Sequence, residues 1–132
     1  MKLPKLPRIL ETVLYVSNLG AAKKFYTEVL GLTGKGGAFV VGEDMLLLFD
    51  ASQSIKQKTP PPHGAIGPGH MAFEVPDKEY ESWKKHLTEK GVKIEEEIVW
   101  DKNDPKIRSF YFRDPSGNVL EIAAPGIWGK IK

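Results

Sequence analysis

Hydrophobic positions recur at two different periods along the chain, and these periods divide it into helices and strands. Spacings of three and four residues predict amphipathic helices over Leu19–Leu30 and Lys78–Lys90, each ended by a glycine. Asn18 and Asp77 are the expected N-caps. Short runs rich in β-branched and aromatic residues, punctuated by Gly or Pro, predict the strands. These runs are Ile9–Val16, Ala38–Val41, Met45–Phe49, Met71–Val75, Val92–Val99, Ser109–Phe112 and Val119–Ala123.

The two halves of the chain repeat the same order of elements. Glu11 and His70 lie 59 positions apart, and at this offset each strand leads into a helix N-cap. Later in each half, an offset of 73 sets Leu48 opposite Glu121. The repeat of one strand, one helix and two or three further strands predicts two modules, about residues 8–50 and 69–124. Three consecutive prolines exclude the connecting residues 51–68 from a sheet, so we expect an exposed, mobile crossover loop.

Composition narrows the class of protein. The 132 residues are 41% hydrophobic and 27% charged, which is typical of a single globular domain. A net charge of +2 without a basic cluster argues against nucleic acid as a partner. The absence of cysteine excludes disulfides, thiolate zinc sites and a cysteine nucleophile. The longest apolar run, Met45–Phe49, is too short for a membrane helix, and a cytoplasmic location is the default expectation.

Three ionisable residues lie on strands of the repeat, and two of them take equivalent inward positions. Glu11 and His70 lie on the first strand of each half, and Glu121 lies on the last strand. Strand alternation sets Glu121 on the face opposite to Leu120 and Ile122. Two carboxylates and one imidazole on neighbouring strands favour a hard metal site with open positions. The alternative for each carboxylate alone is an ordinary position on the wet face of the sheet.

Several segments resemble the vicinal oxygen chelate superfamily, which includes glyoxalase I, bleomycin-resistance proteins, fosfomycin-resistance transferases and extradiol dioxygenases. Leu10–Leu19, with Val29–Leu32 after it, is similar to the opening of that family. Gly69–Val75 is similar to the opening of its second half, and Phe112–Glu121 to its closing hairpin. The resemblance covers residues 8–125, nearly the whole chain.

This resemblance implies an α+β fold in which two βαβββ modules form curved mixed sheets around a cavity within one glyoxalase-like domain. It also implies metal ligands on the first and last strand of each half, which here are Glu11, Leu48, His70 and Glu121. Because leucine cannot bind a metal, we expect three ligands: Glu11, His70 and Glu121. They would hold one divalent ion (Zn, Ni, Mn, Co or Fe), with Glu121 and Glu11 as the catalytic residues.

The substrate-binding residues are expected to be Leu48, Tyr111, Phe39 and Arg113. Leu48 would form the apolar wall beside the metal. The aromatic side chains of Phe39, Tyr111, Trp100 and Trp128 would line the cavity, their alternative being simple hydrophobic core.

Charged side chains have two interpretations as well. Arg113, with Arg108 and Lys106, would steer an anionic substrate, or these would be solvated surface charges. His63 would act as an acid or base over the substrate, or be a surface histidine.

Two functions of different class follow. The first is a metal-dependent enzyme acting on a small substrate that chelates the metal through vicinal oxygens, by lyase, isomerase, dioxygenase or thiol-transferase chemistry. The alternative is a binding protein that sequesters an aromatic drug or metabolite. Both need a small-molecule partner and neither needs nucleic acid or membrane. A homodimer is expected, because pairing would complete the cavity or cover sheet edges.

Overall fold

The computed structural model describes residues 2–132, and the chain divides into two compact units, Met1–Ile66 and Gly67–Lys132. The strands are β1 (Glu11–Val16), β2 (Thr33–Lys35), β3 (Ala38–Val41), β4 (Asp44–Asp50), β5 (His70–Glu74), β6 (Glu96–Val99), β7 (Arg108–Arg113) and β8 (Val119–Ala123). The helices are α1 (Leu19–Lys24), continued by a π-helical turn (Phe25–Val29), then α2 (Ala51–Ser54) and α3 (Asp77–Glu89). None of the helices in residues 2–132 combines the length and apolar character of a membrane span.

Each unit contains one four-stranded mixed sheet. The strand orders are β1-β4-β3-β2 in the first unit and β5-β8-β7-β6 in the second. The first and last strand of each unit pair in parallel, and the remaining pairs are antiparallel. The helix that follows the first strand supplies the long crossover that a parallel pair requires. The predicted βαβββ repeat and α+β class are therefore confirmed.

In the first unit, alternation along β1 and β4 sorts the side chains between two faces. Leu14 and Leu48 are paired in register and are both buried. Ala22 and Tyr26 are fully buried on the helix. Asn18 is the N-cap, as predicted, and its Oδ1 accepts a hydrogen bond from the amide of Ala21 at 2.9 Å. The chain leaves the helical segment at Gly31, whose φ of 70° is the left-handed conformation that glycine adopts without strain.

In the second unit, α3 buries Tyr80 and Leu87. The Tyr80 ring meets the Phe110 ring edge-on, with centroids 5.3 Å apart. Asp77 was expected to cap α3, but Pro76 is the N-cap and Asp77 occupies the first turn. An acidic residue there still interacts favourably with the helix dipole.

Two elements were not predicted. β2 is exposed at every position, so no apolar alternation marks it, and it exists through pairing with β3. α2 lies in the crossover segment and begins where the Asp50 carboxylate accepts a hydrogen bond from the Ser52 amide at 2.9 Å. A single turn is too short to show a period in the sequence. The expected strand Val92–Val99 forms only over Glu96–Val99, where the partner strand β7 is available.

Candidate metal and substrate site

His70 and Glu121 come together on the two central strands of the second unit. β5 and β8 pair in parallel, with His70 opposite Val119 and Ala72 opposite Glu121. The two functional side chains therefore lie diagonally on one face of the sheet. His70 Nε2 lies 3.2 Å from Glu121 Oε1.

A backbone contact fixes the orientation of the His70 ring. Its Nδ1 lies 3.0 Å from the carbonyl oxygen of Val119. A carbonyl oxygen can only accept a hydrogen bond, so Nδ1 carries a proton. In the neutral ring, Nε2 then presents its lone pair to the Glu121 carboxylate, which also presents lone pairs. Two acceptors 3.2 Å apart repel one another unless a proton or a metal ion lies between them.

The burial of Glu121 leads to the same requirement. Glu121 is 5% exposed, and its neighbours Leu120 and Ile122 are buried too. A carboxylate taken out of water is costly unless a cation compensates it. An imidazole whose second nitrogen donates to a backbone carbonyl, placed beside a carboxylate, is a common arrangement of metal ligands. The two side chains therefore fit a divalent metal ion.

A row of polar side chains leads to Glu121 from the other side. Trp100 Nε1 donates to Ser109 Oγ at 2.9 Å, and Ser109 and Tyr111 lie two residues apart on one face of β7. Tyr111 is opposite Glu121 in register, so the phenol and the carboxylate are neighbours on that face. Burial raises the pKa of Tyr111; the Ser109 hydrogen bond opposes this rise, and the charge of Glu121 adds to it. The phenol therefore keeps its proton at neutral pH and remains a donor.

These residues border a cavity of about 500 Å³, within the usual size range of small-molecule sites. His70 and Glu121 lie at its wall, and the His70 and Tyr111 rings stack with centroids 6.0 Å apart. The other lining side chains are apolar or aromatic: Met71, Ala72, Trp100, Ile127 and Trp128. Tyr111, Trp100 and Trp128, three of the four aromatic residues predicted to line a cavity, thus lie around this one.

The sequence patterns did not predict a place at the site for Ser109 or for Ile127, which lies near the C-terminus. Ser109 is fully buried and accepts the hydrogen bond from Trp100. Its signal was present, because Ser109 and Tyr111 are two residues apart and so share one face of a strand. Ile127 follows the last strand and carried no pattern.

Glu11 belongs to the other unit. It is exposed at the start of β1, on the strand face that also carries Val13 and Tyr15. Among the described residues, no group of three or more His, Asp or Glu side chains is placed to hold a metal ion. The chain thus brings together His70 and Glu121 within one unit, and the role of Glu11 stays a prediction.

The register of the first unit corrects the expectation for Leu48. Val13 is opposite Leu47 in the β1–β4 pair, just as Ala72 is opposite Glu121 in the β5–β8 pair. Leu47, not Leu48, therefore corresponds to Glu121. Leu48 is 4% exposed on the core face with Leu14. The offset of 73 taken from the sequence was one residue too small, and a shift of one residue moves a strand side chain to the other face.

Phe39 and Arg113 were expected to bind substrate, and in the structure each makes other contacts. Phe39 is buried in the first unit against Tyr26, with ring centroids 5.9 Å apart. Arg113 donates from Nε to Glu95 at 3.0 Å and from Nη1 to the carbonyl of Gly117 at 2.9 Å. Phe39 is therefore a core residue, and the bonds of Arg113 stabilise the closing hairpin.

Arg108 is turned towards α3 rather than towards the cavity. Its guanidinium lies 3.9 Å from the centre of the Tyr80 ring and bonds Glu81 at 2.8 Å. Strand alternation places it opposite to Ser109 and Tyr111. Both arginines expected to steer an anion are therefore engaged elsewhere.

His63 lies on the first unit's sheet rather than free on the surface. Its Nδ1 is 2.5 Å from the hydroxyl of Tyr15, and its ring meets Phe49 edge-on, with centroids 4.7 Å apart. Its backbone carbonyl accepts a hydrogen bond from Ser54 Oγ at 2.6 Å. The crossover segment is thus anchored at this histidine.

Comparison with known proteins agrees with this fold. The family model "Glyoxalase/Bleomycin resistance protein/Dioxygenase superfamily" matches residues 8–122. The chain is 32% identical over 113 residues to "Glutathione transferase FosA" of Serratia marcescens, covering 83% of this chain and 74% of that protein. It is 30% identical over 111 residues to "Metallothiol transferase FosB" of Staphylococcus epidermidis, covering 81% of this chain and 76% of that protein.

A solved structure is similar over nearly the full length. The crystal structure of lactoylglutathione lyase from Agrobacterium tumefaciens has 36% sequence identity and a TM-score of 0.83, covering 95% of this chain and 98% of that chain. All three relatives are named as enzymes, which supports the prediction of a metal-dependent enzyme over that of a binding protein. The chain belongs to the Glyoxalase/Bleomycin resistance protein/Dioxygenase superfamily.

Proposed function

We propose that the protein is a divalent-metal-dependent transferase or lyase that acts on a thiol or thiol adduct with vicinal oxygens. The observation that carries this proposal is the His70–Glu121 pair, with Nε2 and Oε1 3.2 Å apart and the imidazole oriented by Val119. The transferase and lyase relatives are named for glutathione or for a metallothiol, which favours thiol chemistry over oxygenation.

Each residue of the site has a separate task. His70 and Glu121 hold the ion, and the Val119 carbonyl keeps the imidazole turned towards it. The Tyr111 phenol, opposite Glu121 in register, would donate to the Glu121 carboxylate and help to orient it. When bound, a divalent ion supplies Lewis-acid stabilisation of negative charge on a substrate oxygen. Glu121 and Glu11 are the candidate proton-transfer groups, since a carboxylate near the substrate can act as a base.

Metal content gives the first test. We expect about one divalent ion per chain in the purified protein, lost in both His70→Ala and Glu121→Ala. Turnover is then assayed with glutathione and either a dicarbonyl or an epoxide, in the presence of Zn, Ni, Mn, Co or Fe. A wild-type protein that binds none of these ions, and behaves like both variants, would contradict the proposal.

Glu11 is proposed as the third ligand, supplied within a homodimer by either copy. Mixing the inactive variants Glu11→Ala and His70→Ala, followed by dissociation and reassociation, distinguishes the two cases. If the ligands come from different copies, about a quarter of the activity returns in a random mixture, because one site in each mixed dimer is intact. If they come from the same copy, no activity returns.

The alternative of sequestration has one observation in its favour, the aromatic cavity that contains Trp100 and Trp128. A protein of this kind would bind a planar ligand equally well with and without metal. Titration of the metal-free and metal-loaded protein with the same aromatic ligand separates the two functions.

A further inference from the structure

We infer that the cavity beside His70 and Glu121 selects substrates whose metal-binding end carries an uncharged aromatic group, which packs against Trp128 and Trp100. The inference deepens the proposed function and rests on it, because it assumes that the substrate's oxygens are held at His70 and Glu121. It concerns the part of the substrate that does not react.

The lining of the cavity supports an apolar group. Beyond His70, Tyr111 and Glu121, the side chains at its wall are those of alanine, isoleucine, methionine and two tryptophans. Trp100 and Trp128 are 51% and 62% exposed, so each indole has ring surface available to a ligand. Flat aromatic faces favour planar, apolar partners. The volume of about 500 Å³ accommodates a ring as well as a chelating group.

The charges around the cavity argue against an anionic group. Among the described residues, none that lines the cavity is a lysine or an arginine. Arg108 points to Tyr80 and Glu81, and Arg113 is bonded to Glu95. An acidic group on the substrate would therefore lose its water without a cation other than the metal to compensate it.

Trp100 is held in place through both its backbone and its side chain. The Trp100 amide donates to the carbonyl of Ile107 at 2.7 Å, and its indole N–H donates to Ser109 at 2.9 Å. At Trp128 the backbone carbonyl accepts from the amides of Ile131 and Lys132 at 2.9 and 3.1 Å. A preorganised ring such as the Trp100 indole costs little entropy on binding.

Binding of hydroxamates tests the inference without any turnover, since a hydroxamate chelates a metal through two vicinal oxygens. Calorimetry on the metal-loaded protein compares acetohydroxamate, benzohydroxamate, 2-naphthohydroxamate and 4-carboxybenzohydroxamate. We expect benzohydroxamate to bind about tenfold more tightly than acetohydroxamate, the naphthyl compound more tightly still, and the carboxylated compound more weakly than benzohydroxamate.

Two variants localise the effect. Trp128→Ala is expected to remove the preference for the aryl compounds and to leave acetohydroxamate unchanged. Trp83→Ala, which changes a tryptophan on α3 next to His86 and away from the cavity lining, is the matched control and should keep the full preference. Sedimentation of each variant reports whether the exposed indoles instead bind a second copy of the chain.

The outcomes separate the two proposals. Equal affinity for acetohydroxamate and benzohydroxamate overturns the aromatic selectivity and leaves the metal site standing. Failure of every hydroxamate to bind the metal-loaded protein contradicts the proposed function itself. If Trp128→Ala loses the aryl preference only to the extent that an oligomer dissociates, this surface is an interface between copies of the chain. That result also overturns the inference.

Discussion

The two units of the chain have the same topology and corresponding strand registers, yet they differ at the position that matters most for chemistry. On the last strand, the first unit has Leu47 where the second has Glu121. On the first strand, the two units have Glu11 and His70. On these strands the second unit therefore has a pair of candidate metal ligands, and the first unit has the single carboxylate of Glu11. The repeat preserves the fold because the buried faces are alike, and it leaves the opposite faces free to diverge.

The turn that precedes the last strand also differs between the two units. In the first unit, Gly42 and Glu43 connect β3 to β4, with Gly42 at a φ of 59°. In the second, the longer turn ends at Asn118, which is 2% exposed. Its side chain accepts from the Gly69 amide at 2.7 Å and donates to Asp114 at 2.9 Å. That contact joins the starts of the two strands that carry His70 and Glu121.

The largest effect is expected when a charge is introduced at Leu48, with the same substitution at Leu47 as the comparison. Leu48→Glu puts a carboxylate into the core beside Leu14, which should cost about 4 kcal/mol of unfolding free energy. Leu47→Glu places it on the other, half-buried face and should cost about 1 kcal/mol. Urea unfolding of the metal-free variants measures both. Equal losses would mean that the two faces of β4 are not distinct and that the comparison of the units fails.

Asn118→Ala is expected to cost about 2–3 kcal/mol, because the Gly69 amide and the Asp114 carboxylate each lose a buried partner. Since Gly69 precedes His70, metal affinity should fall as well. Denaturant unfolding and metal titration measure the two effects. Asn103→Ala, in an exposed turn, is the control and should change stability by less than about 0.5 kcal/mol. Unchanged metal affinity in Asn118→Ala would show that this turn does not position His70.

Tyr111→Phe removes the hydroxyl that is proposed to donate to Glu121 and should weaken metal binding about tenfold, as loss of an outer hydrogen bond to a ligand commonly does. The fold should be kept, since the ring remains. Tyr80→Phe removes a phenol that donates to Glu97 at 2.7 Å, outside the cavity, and should leave metal affinity unchanged. If both variants bind metal like the wild type, the Tyr111 hydroxyl does not support the site.

Most of the fold could be predicted because its helices and strands show periodic hydrophobic patterns and are bounded by turn residues. The placement of His70 and Glu121 on neighbouring strands was predicted from the repeat, and the parallel β5–β8 pair has this arrangement. The register of β4 could not be read in this way, since Met45–Phe49 is apolar at every position and offers no alternation. Phe39 and Tyr111 lie on similar strands, and only the packing of Tyr26 over Phe39 decides which one is core. The roles of Arg108 and Arg113 depended on distant acidic partners, which no local pattern reveals.

The smallest effect concerns a charge cluster in the second unit. Glu97 accepts hydrogen bonds from Lys84 at 2.7 Å and from Tyr80 at 2.7 Å. Burial raises the pKa of Glu97, but these bonds and the positive charges of Lys84 and Arg108 outweigh burial, so that the pKa lies below its ordinary value of 4.5. A lowered pKa contributes stability that is fully present above pH 4.5 and is lost as the pH falls through the pKa of the folded state.

Glu97→Gln should therefore reduce the unfolding free energy at pH 7 by less than about 1 kcal/mol, since the pair is partly exposed and screened. The difference from the wild type should vanish in strong acid, and added salt should shrink it at pH 7. Glu89→Gln is the matched control, because its partner Lys85 is 3.9 Å away and both side chains are exposed. Denaturant unfolding between pH 7 and pH 3 measures all three proteins. A Glu97→Gln deficit that stays constant over this range would mean that the cluster stabilises the second unit by packing and not by charge.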